Sequence, residues 1–385
     1  MQPFDFNMRT RVVSGEGSLG RIGQLAAELT SGRVLLVTDP GIVAAGHVDR
    51  AVQAIEAEKL EVRVFDGAAE NPTTDDVDRG VAVAREFQPE LLIGLGGGSS
   101  MDCAKGINFI ISCGGTMHDY AGVGKATAPM LPMIAVPTTG GTGSELQSFA
   151  LISDAKTHVK MACGDPAASC RVAILDPLLT LTQPESVTAL TGIDAISHAV
   201  ETMVTTRRNP VSRVFSVAAW KHLANHFETV ISSPDDLEAR SAMQLGSAWA
   251  GLAIENSMLG AAHALANPLT ARFGIVHGQA VGLMLPHVIR FNGQDPDSQR
   301  AYVELLSHCK VSDAGEDAVE TLADLVSRFV QMAGLKTKLA ELNVTEEHFV
   351  DMAADAAQQW TGTFNPVPVD VDLSLIHISE PTRPY

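Results

Sequence analysis

Four side chains that could bind one metal ion lie among small and apolar residues in the second half of the chain. Asp194 and His198 are four residues apart in TGIDAISHAVE, so a helix would present both on one face. His263 and His277 are fourteen residues apart in GAAHALANPLTARFGIVHG. One aspartate and three histidines suit a divalent first-row metal, Fe(II) or Zn(II). The four residues therefore predict a metal site.

The alternative for each histidine is an ordinary packing role. His222 and His226 have the same four-residue spacing in WKHLANHFETV, and we interpret them as surface or packing residues. A single pair at helical spacing is thus weak evidence. Four nitrogen and oxygen donors in small or apolar surroundings, with no excess of positive charge nearby, favour the metal interpretation. The absence of a thiolate argues against a structural, cysteine-rich zinc site.

A glycine loop in the first half of the chain predicts a phosphate site. GLGGGSSMDCAK follows an apolar strand and begins a helix. Gly97 and Gly98 let backbone N–H groups approach a phosphate, and the start of a helix adds a positive partial charge. Ser99 and Asp102 have capping-box spacing, with aspartate in place of the usual glutamate. The alternative is a tight turn without a ligand, and the strand–loop–helix context favours the phosphate.

A second loop with hydroxyl side chains also follows an apolar strand. It reads PTTGGTGSE, and its hydroxyls belong to Thr138, Thr139, Thr142 and Ser144. Two such loops at the ends of two strands of one sheet indicate the two flanks of an extended phosphate ligand.

Asp39 ends a third apolar strand, RVLLVTD. A carboxylate there accepts hydrogen bonds from a ribose diol and repels a 2′-phosphate, which favours NAD over NADP. The alternative is a turn aspartate before Pro40. Because this acidic residue precedes the glycine loop, the arrangement differs from the usual GxGxxG fingerprint.

The elements that position these residues indicate two domains. Residues 1–183 alternate strands and helices, which predicts an α/β domain with a parallel, doubly wound sheet and a dinucleotide site. Residues 184–371 contain helical patterns only, which predicts an all-α, metal-binding domain. Ligands of such proteins usually lie between the domains, beside the carboxyl ends of the strands.

Composition excludes several classes of protein. The chain has 385 residues, 45% of them hydrophobic, and a formal net charge of −18. This charge gives no electrostatic reason to bind nucleic acid or an anionic membrane. Five cysteines without a CxxC pair indicate reduced, buried thiols. With no signal peptide and no apolar run of membrane-spanning length, we expect a cytoplasmic protein.

Taken together, GGGSSMDCAK, PTTGGTGSE, GIDAISHAVE and the block from GAAHALANPL to PHVIRFN resemble the iron-containing (group III) alcohol dehydrogenase family. The resemblance extends in order from the N-terminus to about Val371. It implies the dehydroquinate-synthase-like fold of that family, with an NAD-binding α/β domain and an all-α domain. It also implies a divalent metal, preferably iron, and a small alcohol or aldehyde as substrate. The expected assembly is a homodimer or a higher homo-oligomer.

The resemblance assigns further residues by position. Asp194, His198, His263 and His277 match the family's metal ligands. The two loops and Asp39 match its cofactor contacts; in addition, Lys160 matches a lysine at the nicotinamide ribose, and Leu179 matches an apolar residue that packs against the cofactor. Asn267 is a departure, because many members have a second histidine there, usually discussed as a proton relay.

Other functions remain open at this point. They are a glycerol-, diol- or lactaldehyde-type dehydrogenase, a dehydroquinate-synthase-like lyase, and a non-enzymatic nucleotide- or metal-binding homologue. A lyase should carry clustered basic residues around its metal, whereas Arg272 is the one basic residue close to the motif. Phe149 either faces the substrate or belongs to a strand core. The final stretch, Leu373–Tyr385, resembles a translated sequencing adapter, so we exclude it from every functional argument.

Overall fold

The computed structural model describes residues 3–310 and 317–371. Its contacts divide the chain into two units, Asn7–Gln183 on one side and Met1–Phe6 with Pro184–Tyr385 on the other. The first unit contains the strands, and the second is helical. The adapter-like stretch Leu373–Tyr385 lies outside the described residues.

The strands of the first unit form two sheets. In chain order, the strands in the described part of this unit are β1 Arg11–Ser14, β2 Arg33–Val37, β3 Glu61–Phe65, β4 Leu91–Gly96, β5 Gly122–Val123, β6 Met133–Pro137, β7 Phe149–Ser153, β8 Lys160–Gly164 and β9 Val172–Leu175. Six of them form an all-parallel sheet in the order β1-β9-β6-β4-β2-β3. The others form a small sheet, β5-β8-β7, in which β7 is antiparallel to β8.

Helices cover both faces of the parallel sheet. They are α1 Ile22–Ala27, α2 Pro40–Ala44, α3 His47–Ala57, α4 Thr74–Phe87 and α5 Gly98–Cys113. Successive residues of a strand point to opposite faces. Val34 and Leu36 of β2 pack in one core with apolar residues of α1 and α3, and Leu35 and Val37 pack in the other with residues of α4 and α5. Burial on both faces explains the continuous apolar runs that predicted these strands.

The parallel, doubly wound sheet predicted from the sequence is confirmed. From β2 the chain continues to β3 on one side, whereas from β4 it continues toward β6 on the other. The direction of winding therefore reverses between β2 and β4. In open α/β sheets, ligands bind outside the carboxyl ends of the strands at this reversal point. Asp39 follows β2, and Gly97 and Gly98 follow β4.

The second unit is built from helices around one apolar core. They are α6 Glu185–Val204, α7 Pro210–Ser232, α8 Leu237–Ser257, α9 Ala261–Phe273, α10 His277–Asn292, α11 Pro296–Ser307, α12 Ala318–Met332 and α13 Phe349–Ala357. Trp220 and Tyr302 are among the largest fully buried side chains of this core. None of the helices in residues 3–310 and 317–371 combines the length and apolar character of a membrane span.

The five cysteines divide into two groups. Cys103, Cys163 and Cys170 are buried, whereas Cys113 and Cys309 are partly exposed, and all five are free thiols. Burial raises the pKa of Cys103 to about 12 and the pKa values of Cys163 and Cys170 to about 11. Thiolates are the reactive form, so the three buried thiols should be inert in the folded protein.

We therefore expect a thiol-reactive dye at pH 8 to label Cys113 and Cys309 in the native protein, and all five cysteines after unfolding. Mass spectrometry of the labelled peptides checks the assignment. Rapid native labelling of Cys103, Cys163 or Cys170 would contradict the burial described above.

Candidate metal centre and cofactor loops

Three of the four predicted metal ligands, Asp194, His263 and His277, bring their ligand atoms within 4.8 Å of one another in the helical unit, and His198 lies beside Asp194. Asp194 and His198 lie on α6, His263 lies in the first turn of α9, and His277 begins α10. Oδ1 of Asp194 is 3.3 Å from Nε2 of His198, 3.6 Å from Nε2 of His263 and 3.7 Å from Nε2 of His277. Helices from three parts of the sequence thus direct one oxygen and two nitrogens to the same place, and the ring of His198 lies next to that oxygen.

These distances fit a bound ion better than direct hydrogen bonds. Contacts of 3.6 Å and longer exceed hydrogen-bond length. Metal–ligand distances of roughly 2.0–2.2 Å would place tetrahedral ligands ~3.4 Å apart. Within the described chain, Oδ1 of Asp194 and Nε2 of His263 are buried without a hydrogen-bond partner. Buried polar atoms rarely lack partners, so these two atoms point to a cation that they would share. The donor set fits a divalent ion.

The site is electrostatically prepared for a cation. Burial would raise the pKa of Asp194, but the neighbouring His198, followed by His263 and His277, lowers it well below its usual range. Burial would lower the pKa of His263, but the charge of Glu201, its hydrogen bond to the ring and the nearby charge of Asp194 raise that pKa to about 9. Each shift means that this pocket favours a positive charge beside Asp194. A metal ion would supply that charge in place of a proton.

Glu201 is a residue of this site that the sequence analysis did not assign. It lies on α6 and pairs through Oε2 with Nδ1 of His263, behind the ring edge that faces Asp194. A carboxylate that holds the second ring nitrogen of a histidine is a common partner of metal ligands. The spacing in GIDAISHAVE could have indicated this role, because Glu201 follows Asp194 by two helical turns and so lies on the same face of the helix.

Asn267 lies one turn after His263 on α9 but does not take part in the cluster of ligands. Its side-chain nitrogen donates to Oε1 of Gln359 at 2.9 Å, and it is half-buried. Arg272, farther along α9, pairs with Asp355 at 2.5 Å and with Asp351. Arg272 is thus paired with two carboxylates and does not add to the clustered positive charge expected around the metal of a lyase.

The two predicted cofactor loops lie against each other at the carboxyl edge of the parallel sheet. The backbone N–H of Thr138 donates to the carbonyl of Gly96 at 3.0 Å, which joins the ends of β6 and β4. A Cβ at Gly98 would lie 2.7 Å from the side chain of Thr142. At this close approach a side chain would displace the second loop, which explains why residue 98 is a glycine.

Asp39 reaches the glycine loop from the neighbouring strand. Its Oδ2 accepts from the hydroxyl of Ser100 at 3.1 Å. Its Oδ1 accepts from the backbone N–H groups of Gly41 and Ile42, so it also caps α2. The two interpretations of Asp39 from the sequence are therefore compatible, since one oxygen caps a helix and the other faces the loop.

The capping box predicted for Ser99 and Asp102 is wrong. Helix α5 begins at Gly98 with Gly97 as N-cap, and no side chain caps it. Asp102 instead accepts from the hydroxyl of Ser144 at 2.7 Å and from the backbone N–H of Leu151. Burial raises the pKa of Asp102 despite nearby Lys105. Asp102 thus holds the second loop in place rather than closing the helix end.

Lys105, a buried lysine that was not predicted from the sequence, also holds the second loop in place. Nζ of Lys105 is fully buried and donates to the carbonyls of Ser144, Gln147 and Phe149 and to the hydroxyl of Ser144. Because these acceptors span the second loop and the start of β7, Lys105 fixes their backbone. The polar atoms of Ser144 are therefore used within the protein.

The remaining predicted cofactor residues differ in their placement. Lys160 donates to Oδ1 of Asn71 at 3.1 Å, and the backbone N–H of Asn71 donates to Ser99, so Lys160 is linked to the glycine loop. Leu179 is completely buried in the apolar core beside the sheet. It offers no surface to a ligand, and we omit it from the proposed cofactor contacts.

Phe149, considered above as a possible substrate contact, packs inside the small sheet. A Cβ at Gly164, its partner across β7 and β8, would lie 2.3 Å from the Phe149 ring. This close packing favours the strand-core interpretation.

Comparison with known proteins identifies the family. The model described as "Iron-containing alcohol dehydrogenase" matches residues 9–177, and the model for the C-terminal part of the same family matches residues 188–375. The chain belongs to the iron-containing alcohol dehydrogenase family. Alcohol dehydrogenase 4 of Schizosaccharomyces pombe is 33% identical over 353 residues, covering 92% of this chain and 83% of the relative.

Two further relatives are informative. The NAD-dependent methanol dehydrogenase of Bacillus methanolicus is 32% identical over 355 residues, covering 92% of this chain and 93% of that protein. The crystal structure of a 1,3-propanediol oxidoreductase superposes with a TM-score of 0.95 at 30% identity, covering 99% of this chain and 100% of that one. The predictions of family, fold and oxidoreductase class are confirmed.

Proposed function

We propose that this protein transfers hydride between a small primary or secondary alcohol and NAD, with one divalent metal ion, preferably iron. The convergence of Asp194 with three histidines is the observation that carries the proposal. The NAD-dependent relative and the iron-containing family support the two cofactors.

In the helical unit, the chain's own residues would hold and orient the metal. Asp194, His198, His263 and His277 supply the ligands, and a bound ion of this kind acts as a Lewis acid toward a substrate oxygen. Apolar helices bury Asp194, His198 and His263, which excludes bulk water from three of the four donors. In such a setting these residues would leave the charge of a bound ion weakly screened.

In the α/β unit, the edge formed by β2, β4 and β6 would bind the dinucleotide. Gly97, Gly98 and Ser99 begin α5, whose N-terminus favours a pyrophosphate. The hydroxyls of Thr138, Thr139 and Thr142 form the opposite flank. Oδ2 of Asp39, which already accepts from Ser100, would also accept from a ribose diol, whereas a 2′-phosphate would meet its negative charge.

The structural likeness to a 1,3-propanediol oxidoreductase favours a diol as the second candidate substrate. A homodimer or higher homo-oligomer and a cytoplasmic location remain predictions.

The first test combines activity with cofactor choice. Purified protein loaded with Fe(II) or Zn(II) should oxidise small alcohols with NAD and should use NADP poorly. Asp39→Asn keeps an oxygen to cap α2 and removes the charge. We expect it to raise the ratio of kcat/KM for NADP over NAD by at least about fivefold, which corresponds to ~1 kcal/mol of relieved repulsion.

Glu58→Gln, which removes a charge at the end of α3, serves as the control for a general loss of negative charge. Absence of NAD-linked turnover with every metal and alcohol would contradict the proposed function. An unchanged cofactor ratio in Asp39→Asn would contradict the role of Asp39 alone.

The second test concerns the proton. An amide at Asn267 does not titrate near neutral pH, so it is not a general acid or base, and the proton must leave by water or by the ribose hydroxyls. Asn267→His introduces a group that ionises near pH 6.5. We expect an additional ionisation in the pH dependence of kcat.

Asn267→Gln is the matched variant that stays polar without titrating, and it should keep the wild-type profile. If Asn267→His also leaves both kcat and its pH dependence unchanged, position 267 does not lie on the route of the proton.

A further inference from the structure

Glu201 is a buried carboxylate on the helix that carries two of the metal ligands. Its side chain is only 2% exposed, and it lies two turns after Asp194 on the same face of α6. A carboxylate this deeply buried needs hydrogen-bond donors to offset the loss of water. Among residues 3–310 and 317–371, its hydrogen-bond partners belong to the start of α9.

One oxygen of Glu201 holds the first backbone amides of α9. Oε1 accepts from the N–H of Ala262 at 2.7 Å, from that of Gly260 at 3.2 Å and from that of His263 at 3.4 Å. The first amides of a helix have no partner within the helix. They carry a positive partial charge, which a carboxylate stabilises.

The first residues of α9 provide no capping side chain of their own, so side chains from elsewhere in the chain cap this helix. Gly260, the N-cap, has no side chain, and a Cβ there would lie 3.2 Å from Oε1 of Glu201 and 2.9 Å from Oδ1 of Asn365. Asn365 accepts from the N–H of Ala261 at 3.1 Å, and its amide nitrogen donates to Asn292. Two side chains that lie far away in sequence therefore cap α9.

The other oxygen of Glu201 determines which ring nitrogen of His263 carries the proton. Oε2 pairs with Nδ1 of His263. Because a carboxylate only accepts, Nδ1 must donate its hydrogen. The lone pair of the neutral ring then lies on Nε2, the atom 3.6 Å from Oδ1 of Asp194.

We propose that Glu201 is a positioning residue of the metal site, which anchors the first turn of α9 and holds His263 in the tautomer that binds metal through Nε2. This inference rests on the metal-dependent function proposed above. It explains why one carboxylate contacts both the helix end and the ring.

Glu201→Gln tests the inference with little change of shape. A glutamine whose oxygen stays on the α9 amides places its NH2 group at Nδ1 of His263. Two donors then face each other unless Nδ1 gives up its hydrogen, which moves the proton to Nε2 and blocks the metal. We expect Zn(II) affinity, measured by chelator competition in the full-length protein, to fall 10- to 100-fold.

Glu304→Gln, in which the glutamate pairs with Arg213 at the surface, controls for the lost charge and should bind Zn(II) like the wild type. The ¹⁵N chemical shifts of the His263 ring in the metal-free protein give a second readout, because they report which ring nitrogen carries the hydrogen. They are measured at a pH where the ring is neutral and are assigned by their loss in His263→Ala. We expect an Nδ1–H ring in the wild type and an Nε2–H ring in Glu201→Gln.

Wild-type Zn(II) affinity in Glu201→Gln would overturn the inference. If that variant does not fold, the wild-type ring spectrum decides, since an Nε2–H tautomer would overturn the inference and an Nδ1–H tautomer supports it. If the wild type binds Zn(II) but shows no NAD-linked turnover, the proposed function is contradicted. The role of Glu201 is still decided by the Zn(II) affinity and the ring tautomer.

Discussion

The burial of the Asp194 carboxylate among three imidazoles is the constraint on which the helical unit depends. A buried carboxylate oxygen without a hydrogen-bond donor is costly, and the described chain offers Oδ1 no such donor. A shared cation would remove this cost. In the proposed site, all four donors reach one ion only if the starts of α9 and α10 and one face of α6 are held in register. The cap that Glu201 and Asn365 form on α9 supplies part of that register.

The α/β unit meets a different constraint, which is the close approach of two loops to one edge of a sheet. Parallel strands bring the carboxyl ends of β2, β4 and β6 to that edge, and glycines let the backbones come near each other. Buried polar groups then fix the loops. Lys105 and Asp102 use their hydrogen bonds within the protein to hold the second loop against the glycine loop.

Much of this arrangement could be predicted from the sequence. Apolar runs predicted β2, β4 and β6, because a sheet buried on both faces leaves a continuous signal. The strands β1 and β9, with four residues each, are too short for periodicity to reveal. The proposed metal ligands could be recognised in the sequence because residue type and helical spacing carry the chemistry.

The roles that depend on tertiary contacts could not be predicted in this way. Glu201 acts on a histidine 62 residues away, and Asp102 bonds to a serine 42 residues away. The capping-box spacing of Ser99 and Asp102 was misleading for the same reason, because in the folded chain Asp102 accepts a hydrogen bond from Ser144 instead. The burial of Leu179 likewise follows from packing of the whole unit rather than from its neighbours in sequence.

We propose that Asp194, His198, His263 and His277 bind one metal ion together. X-ray absorption spectroscopy of the metal-loaded protein, with the metal content measured per chain, tests it most directly. The account predicts one ion per chain with three imidazole ligands and oxygen donors at roughly 2.0–2.2 Å, and the loss of one imidazole in His263→Ala. A sulfur ligand, fewer than three imidazoles in the wild type, or an unchanged spectrum in His263→Ala would contradict it.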